Sequence, residues 1–246
     1  MFNRVIRPAL SIAILLLASC SSDDNPLSGG KPTVTGSGNL ITESRTLEAF
    51  TSVVMNTVGD VDLDYGTQTA SITVDDNIMP FIIMSVSQDV LTIDSDRSKN
   101  LREFDLTVNL TMAGLEGLTL AGVGNIRATH GIVVSNTVDL LVSGVGEIDI
   151  KLVAPDVTAT MSGVGGIELT GNALRYTAIM SGTGSLKTFN FGADTATVTL
   201  SGVGDAEVWV NQVLTAVLTG QGSIYYHGHP TIHQTVTGLG QLVDAN

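Results

Sequence analysis

Cysteine, basic residues and aromatic residues are all scarce in this chain of 246 residues. A single cysteine excludes an internal disulfide framework and a cluster of thiolate metal ligands. Eleven Lys and Arg stand against 24 Asp and Glu, so the net charge of −13 argues against nucleic acid as a partner. Glycine is abundant, with 27 residues, but it lacks the every-third-residue period of collagen. A hydrophobic fraction of 43% excludes a disordered acidic chain and is sufficient for a core.

Residues 1–19 have the pattern of a targeting segment. Arg4 and Arg7 precede an apolar stretch, Ala9 to Ala18, that is too short to span a bilayer as a helix. The sequence LASC follows and ends at Cys20, and the whole segment resembles the signal peptide of a bacterial lipoprotein. The resemblance implies cleavage before Cys20 and attachment of lipid to that residue, which would anchor the protein in a membrane.

Cleavage at this point would leave nine basic residues against the same 24 acidic ones, a net charge of −15. Residues 20–35 are polar and contain Pro and Gly, so they are predicted to form a flexible tether. Ser21 stands where enterobacterial lipoproteins carry the Asp that retains them in the inner membrane. We therefore expect an outer-membrane lipoprotein of the cell envelope, facing either the periplasm or the outside.

A pattern of six residues recurs seven times in the second half: small residue, Gly, any residue, Gly, any residue, apolar residue. Its first glycines lie 18 to 22 residues apart, and the period is near 19. The seven glycine pairs are Gly122 and Gly124, Gly144 and Gly146, Gly163 and Gly165, Gly182 and Gly184, Gly202 and Gly204, Gly220 and Gly222, and Gly238 and Gly240. Apolar residues alternate with Thr around each pair, which predicts strands with one buried face. Each pair is expected to form a corner, because glycine adopts positive φ and lets neighbouring backbones approach closely.

This repeat predicts an all-β protein in which residues 113–246 form a right-handed, single-stranded, parallel β-helix, a solenoid with coils of about 19 residues. The alternative is an antiparallel meander, but its hairpins would favour Asn-Gly or Asp-Gly turns, which the repeats lack. Residues 36–112 show weaker strand patterns and are predicted to form a smaller all-β lobe, either continuous with the solenoid or packed on its end. Within this lobe, GSGNL at Gly36 and VGDVDL at Val58 look like degenerate corners.

Two outward columns of the predicted solenoid carry charged or aromatic side chains, and the charged one supports the register of the coils. The first contains Arg127, Asp149, Glu168, Lys187, Glu207 and Tyr225. Here we expect Arg127 to pair with Asp149, and Lys187 to lie between Glu168 and Glu207. The second column contains Phe189, Trp209 and His227, and it either stacks on sugar rings or a partner protein or packs against the chain itself.

Candidate metal and catalytic residues are few. Asp60, Asp62 and Asp64 alternate along one predicted strand, but the glycine and glutamate of an EF-hand loop are missing. A turn near residue 230 contains three histidines, His227, His229 and His233, without a nearby carboxylate. No recognisable nucleophile, metalloprotease or phosphate-binding motif occurs, so we predict no catalytic residues, no metal and no cofactor.

The segment GSGNLITESRTLEAFTSVVMNTVGDVDLDYG resembles the opening of the head GIN domain family of autotransporter adhesins. The SGVG and SGTG corners and the ending from YYHGHP to TGLGQL are similar to that family as well, so the resemblance covers about residues 36–244. It implies a β-helical fold and a cell-envelope setting, and it brings no catalytic residues.

The sequence therefore predicts a lipid-anchored envelope protein that acts as a non-catalytic binding or structural module, with adhesion as one role. Its candidate partners are a glycan or an envelope protein. Two alternatives stay open: a polysaccharide-active β-helix enzyme, and an envelope assembly or signalling protein that binds other proteins.

Overall fold

The computed structural model describes residues 30–246, and these residues form an almost entirely β structure. The predicted signal peptide, Cys20 and most of the predicted tether lie outside the described residues. Within residues 30–246 there is one short 3-10 helix, Met79–Phe81, and no α-helix. In chain order the strands are β1 (Thr33–Thr35), β2 (Leu40–Ser44), β3 (Ser52–Met55), β4 (Asp60–Tyr65), β5 (Thr69–Asp75), β6 (Ile82–Ser87), β7 (Val90–Ser95), β8 (Asn100–Arg102), β9 (Thr107–Met112), β10 (Gly117–Leu120), β11 (Val123–Val133), β12 (Val138–Val142), β13 (Val145–Met161), β14 (Val164–Met180), β15 (Thr183–Leu200), β16 (Val203–Leu218), β17 (Ile224–His227), β18 (Thr231–Val236) and β19 (Leu242–Asp244).

The second half of the chain is a parallel β-solenoid. Strands β13, β14, β15 and β16 each follow one complete coil, and each pairs in parallel with the next. Val145 lies opposite Val164, Val164 opposite Thr183, and Thr183 opposite Val203, so the repeats stack in register. The predicted parallel β-solenoid is confirmed, and the antiparallel meander is wrong for these coils.

The core lies inside the coils and consists of columns of apolar side chains that repeat from coil to coil. One column, the apolar position of the first six corner patterns, is completely buried and contains Ile126, Ile148, Ile167, Leu186, Ala206 and Ile224, whereas Leu242 of the seventh is partly buried. Apolar residues just before the corners form a second buried column that includes Met161, Met180 and Leu200. Because each side chain packs on the same position of the coil above and below, the hydrophobic period of the sequence sets the register of the stack.

The glycine pairs stack on one another, and the two glycines of a pair are needed for different reasons. A Cβ on Gly163 would overlap the backbone carbonyl oxygen of Gly144 in the preceding coil, so only a residue without a side chain fits. Gly165 would meet the carbonyl of Gly146 in the same way, and its φ of +139° is one that other residues rarely adopt. A side chain at the first position of the pair is therefore excluded by steric overlap alone. At the second position it is excluded by both steric overlap and the positive φ of the backbone.

The amino-terminal strands are continuous with the solenoid through backbone hydrogen bonds. Strand β3 pairs in parallel with β10, and β4 pairs in parallel with β11, so residues 52–65 form a coil directly against the repeats. Strands β7 and β9 stack on the other side of this coil, again in parallel. Beyond them, β6 pairs antiparallel with β7, β5 with β9, and β2 with β5. The solenoid is thus closed at this end by antiparallel strands.

Only one of the two predicted degenerate corners belongs to the stack. Val58 bridges Val123 in parallel, and a Cβ on Gly124 would overlap the carbonyl oxygen of Gly59, as at the other corners. The GSGNL prediction at Gly36 is wrong, because this segment leads into antiparallel strand β2. Its backbone is held instead by the buried carboxylate of Asp75, which accepts a hydrogen bond from the N–H of Gly38.

The charged outward column has the predicted register but different ion pairs. Arg127 lies opposite Asp149 in the strand ladder, yet its guanidinium contacts the carboxylate of Asp60 at 3.4 Å. The Lys187 ammonium contacts Glu168 at 3.6 Å and Glu147 at 3.5 Å, two coils away, rather than Glu207. Long side chains reach across more than one coil, so backbone register alone does not fix the partners.

Replacing Gly163 by Ala should destabilise the protein by about 1–3 kcal/mol, because the new Cβ would displace the Gly144 carbonyl. Gly131→Ala is the matched control, since a Cβ there would have only the Lys151 side chain nearby, at 3.6 Å or more. Thermal unfolding should show a lower Tm for the first variant only, by about 2–4 °C per kcal/mol. Equal Tm values for both variants would contradict the corner geometry.

Replacing Lys187 by Gln should lower the free energy of unfolding by less than about 1 kcal/mol, because the ion pairs are exposed and screened by salt. The negative charge of Glu147, and to a smaller extent that of Glu168, raises the pKa of Lys187. The ion pairs therefore stabilise the fold fully below the ordinary lysine pKa of 10.5, and this stabilisation is lost as the pH rises through the raised pKa. Urea unfolding at pH 7, at low and at high salt, checks this prediction. If the difference in unfolding free energy between wild type and variant grows with salt, the prediction is contradicted.

Candidate functional site

The three aromatic residues of the predicted binding face are brought together, although not as one straight column. Trp209 on β16 lies directly opposite His227 on β17. Phe189 does not occupy the predicted column, because β15 bulges between Thr188 and Gly192, and the residue opposite Trp209 is Gly192. The prediction of a shared column assumed a constant coil length, and the bulge breaks that assumption.

The bulge places Phe189 against His227, two coils further along the stack. The two rings are stacked, with centroids 4.0 Å apart and an angle of 12° between their planes. Two residues beyond Phe189, the side chain of Phe191 points into the core, where it is fully buried and packs edge-to-face on Tyr176 at 5.4 Å. The bulge is therefore anchored from inside while it presents Phe189 on the outside.

Trp209 lies over two glycines, one in each neighbouring coil. A Cβ built on Gly192 would be 3.8 Å from Cε3 of the indole, and one on Gly228 would be 3.4 Å from Cδ1. Both neighbours lack a side chain, so the indole has room to lie against the backbone of the stack. The Trp209 residue is 44% exposed, which leaves a large aromatic surface open to solvent.

Asn246 fixes the backbone beside the indole. Its Oδ1 accepts a hydrogen bond from the N–H of Gly228 at 2.8 Å, and its Nδ2 donates to the carbonyl oxygen of Gly228 at 2.9 Å. The same amide nitrogen donates to a carboxylate oxygen of Asp244 at 2.6 Å. Hydrogen bonds from Asn246, backbone first, lower the pKa of Asp244. No sequence motif marks Asn246, because the Gly228 backbone atoms that it binds come close only through the stacking of the coils.

Together these residues surround an open groove of about 530 Å³, which we call the aromatic groove. Its lining consists of Phe189, Asn190, Trp209, His227, Gly228 and Asn246. No Asp, Glu, Lys or Arg belongs to this lining, although the chain as a whole is strongly acidic. The groove therefore offers flat ring surfaces and side-chain amides, a combination that suits an uncharged ligand with an apolar face and hydroxyl groups.

Two of the three aspartates of β4, Asp60 and Asp64, contact neighbouring residues of the chain. Asp60 accepts hydrogen bonds from the backbone N–H of Asn125 at 2.8 Å and from its side-chain amide at 2.9 Å. Asp64 contacts the imidazole of His130 at 3.4 Å. Among the residues that the structure describes, no three His, Cys, Asp or Glu side chains are grouped to hold a metal ion.

The three candidate histidines have separate surroundings. His227 stacks on Phe189, and His229 lies near enough to Asp244 to lower the pKa of that carboxyl slightly. His233 is on β18, the exposed strand of the last coil. Only His227 belongs to the aromatic groove.

A second groove, of about 790 Å³, runs along the glycine corners. Small uncharged residues from five consecutive corners line it, among them Ser162, Ser181, Ser201, Thr219 and Thr237. Exposed valines stand at the same corners: Val164 and Val203 are part of the lining, and Val145 lies at the preceding corner. This corner groove holds no aromatic or titratable side chain.

Comparison with known proteins agrees with the fold and the repeat. The family model described as "Putative auto-transporter adhesin, head GIN domain" matches residues 49–230. A solved structure from Bacteroides fragilis, named a "putative adhesin", shares 28% identity and a TM-score of 0.81, over 85% of this chain and 98% of that one. Among curated proteins no match is found.

Two solved structures with lower identity share the fold. One, from Parabacteroides distasonis and named a "putative lipid binding protein", is 20% identical with a TM-score of 0.70, over 86% of this chain and all of that one. Another, from Parabacteroides merdae and named a "putative adhesin", is 22% identical with a TM-score of 0.65, over 87% of this chain and all of that one. Since the family model spans most of the sequence, the chain belongs to the head GIN domain family.

Proposed function

We propose that this protein is a non-catalytic binding module of the bacterial cell envelope, held to a membrane through lipid on Cys20, which binds its partner at the aromatic groove. The observation that carries the proposal is the groove itself. Trp209 lies exposed on a rigid stack of coils, with the Phe189–His227 pair beside it. Exposed tryptophan on a preformed surface is the residue type that most often dominates binding energy.

The envelope setting is supported by the leader and by the family. Residues 1–20 have the basic start, the short apolar stretch and the terminal cysteine of a lipoprotein signal peptide. The family description speaks of adhesins, and adhesion requires a protein that reaches the cell surface. Within residues 30–246, no helix is both long and apolar enough to cross a membrane. A lipid on Cys20 and a polar tether would together hold the solenoid at a membrane while leaving its faces free.

A polysaccharide-active enzyme is less well supported by the side chains that line the aromatic groove and the corner groove. Such an enzyme needs carboxyl groups and a base that converge on the bound sugar. The aromatic groove is lined without a carboxylate, and the corner groove is lined by Ser, Thr, Gly, Val, Leu and Gln. A binding role requires neither a base nor an acid at these places.

A role in envelope assembly is the second candidate, and the exposed valines favour it. Val123, Val145, Val164 and Val203 stand in one row along the corners, each with about half of its surface in solvent. A row of apolar side chains on one face is typical of a contact surface for another protein. This contact would lie on the corners, at residues that do not line the aromatic groove.

Replacing Cys20 by Ala should release the protein from membranes, because the lipid would have no attachment point. Cells that express wild type, Cys20→Ala or the control Ser28→Ala should be fractionated and probed for the protein. We expect only the Cys20 variant in the soluble fraction. If this variant stays in the membrane fraction, the anchor does not depend on Cys20 and this part of the proposal is wrong.

Replacing Trp209 by Ala should weaken the retention of purified protein on isolated envelopes or whole cells at least about tenfold. Tyr65→Ala is the matched control, because Tyr65 is 43% exposed but lies on β4, away from the groove lining. Each residue is a little more than half buried, so each variant should lose some packing and lower the Tm by a similar amount, and retention is compared between folded proteins. Equal retention of all three proteins would show that the aromatic groove is not the contact surface.

A further inference from the structure

We infer that the aromatic groove binds the neutral pyranose ring of a glycan, with the sugar stacked on Trp209 and its hydroxyl groups bound by the groove's amides. This inference rests on the proposed function, because it names the ligand class of the same groove. It follows from three properties of the groove: a flat aromatic surface, the unengaged amide of Asn190 beside it, and a lining without Asp, Glu, Lys or Arg.

The flat surface is provided by the indole of Trp209. Gly192 and Gly228 flank it in the neighbouring coils, so no side chain from these two positions rises above the ring. One face of a pyranose presents C–H groups in a nearly flat array, and such a face packs well on an open indole. A Cβ at position 192 or 228 would reach ordinary van der Waals contact with the indole, and a longer side chain there would extend over it. Glycine at both positions therefore leaves the indole uncovered from these two sides.

The wall beside this surface is the Phe189–His227 pair. The two rings are stacked with their centroids 4.0 Å apart, so the pair forms a wall at the edge of the groove. A sugar ring on Trp209 would contact this wall at its side, which limits its lateral movement across the indole. The aromatic groove is therefore shaped for a single ring or a short segment of a chain, since it is about 530 Å³ in volume.

The polar contacts would come from Asn190 and Asn246. Asn190 is exposed, and its side-chain amide makes no hydrogen bond to any of the residues that the structure describes. An amide offers both a donor and an acceptor, which matches the two capacities of a sugar hydroxyl. Asn246 has its amide engaged with Gly228 and Asp244, but its oxygen can accept a second hydrogen bond.

The charge of the surroundings selects among sugars. Asp244 accepts a hydrogen bond from Asn246 directly beside the groove, and hydrogen bonds from Asn246 lower the pKa of this carboxyl. The lining supplies no Lys or Arg to neutralise an acidic ligand. Neutral sugars are favoured over uronic or sialic acids, because an anion would face like charge without a cationic partner.

Trp209 is also the probe for the experiment, because it is the only tryptophan in the chain. The intrinsic fluorescence of the full protein should be titrated with neutral oligosaccharides of glucose, mannose, galactose and N-acetylglucosamine. Oligogalacturonate serves as the acidic comparison, and choline tests a cationic ligand that would also favour aromatic rings. We expect a saturable shift of the Trp209 emission with at least one neutral oligosaccharide, and none with oligogalacturonate or choline.

Calorimetric titration with the same oligosaccharide then tests individual side chains. Trp209→Ala should weaken binding at least about tenfold, and Asn190→Ala about threefold to tenfold, whereas Trp209→Phe should keep part of the affinity. Tyr65→Ala should bind like wild type, and so should Gln212→Ala, an exposed polar position on β16 outside the groove lining.

The possible failures separate this inference from the proposed function. If no neutral sugar binds but Trp209→Ala still loses envelope retention, the ligand class is wrong and the binding role of the groove stands. Saturable binding of choline or oligogalacturonate at Trp209 would also overturn the inference. Sugar binding that survives Trp209→Ala and Asn190→Ala would place the sugar elsewhere on the protein and would overturn it as well.

Discussion

The structure depends on the close approach of backbones at the glycine corners. At each corner the carbonyl oxygen of one coil occupies the space where the next coil would carry a Cβ. Backbone N–H groups at the same place continue the ladder, as when Gly163 donates to Val142 and Gly182 donates to Met161. Glycine at the corner is therefore a steric requirement, and its abundance in this chain reflects tight packing. Glycine-rich sequences are usually associated with flexibility, but here the glycines allow tight packing that restricts the backbone.

Fixed corners give the outer faces their regularity, and the candidate binding site arises where that regularity is interrupted. In most coils the residues of an outward column follow one another at the spacing of neighbouring strands. The coil of β15 contains a bulge that carries Phe189 outward and leaves Gly192 opposite Trp209. In the following coil Gly228, next to His227, lies against the indole, and Asn246 holds its backbone. The bulge and this glycine together turn a uniform face into a groove with a flat floor and a wall.

The sequence predicts the repeat part of the fold well, because seven glycine pairs and their apolar columns report directly on coil length and on the buried face. It does not predict the order of the amino-terminal coils. Strands β7 and β9 lie further from the repeats than β3 and β4, although β3 and β4 precede them in the chain, and no repeat in residues 36–112 marks those pairings. For the site, the sequence places Trp209 and His227 correctly but misplaces Phe189. The spacing of 20 between Gly182 and Gly202 was the available signal of the bulge. Asn246 has no sequence signal, because it acts on backbone atoms.

The corner constraint can be measured most directly by amide hydrogen exchange in the native protein. If stacked corners hold the coils together, the amides of Gly163, Gly182 and Gly202 should exchange as slowly as those of the adjoining strands β13 to β16, because they open only when the solenoid unfolds. Fast exchange at these three glycines, with the strands still protected, would show that the corners are loose turns and would contradict the account.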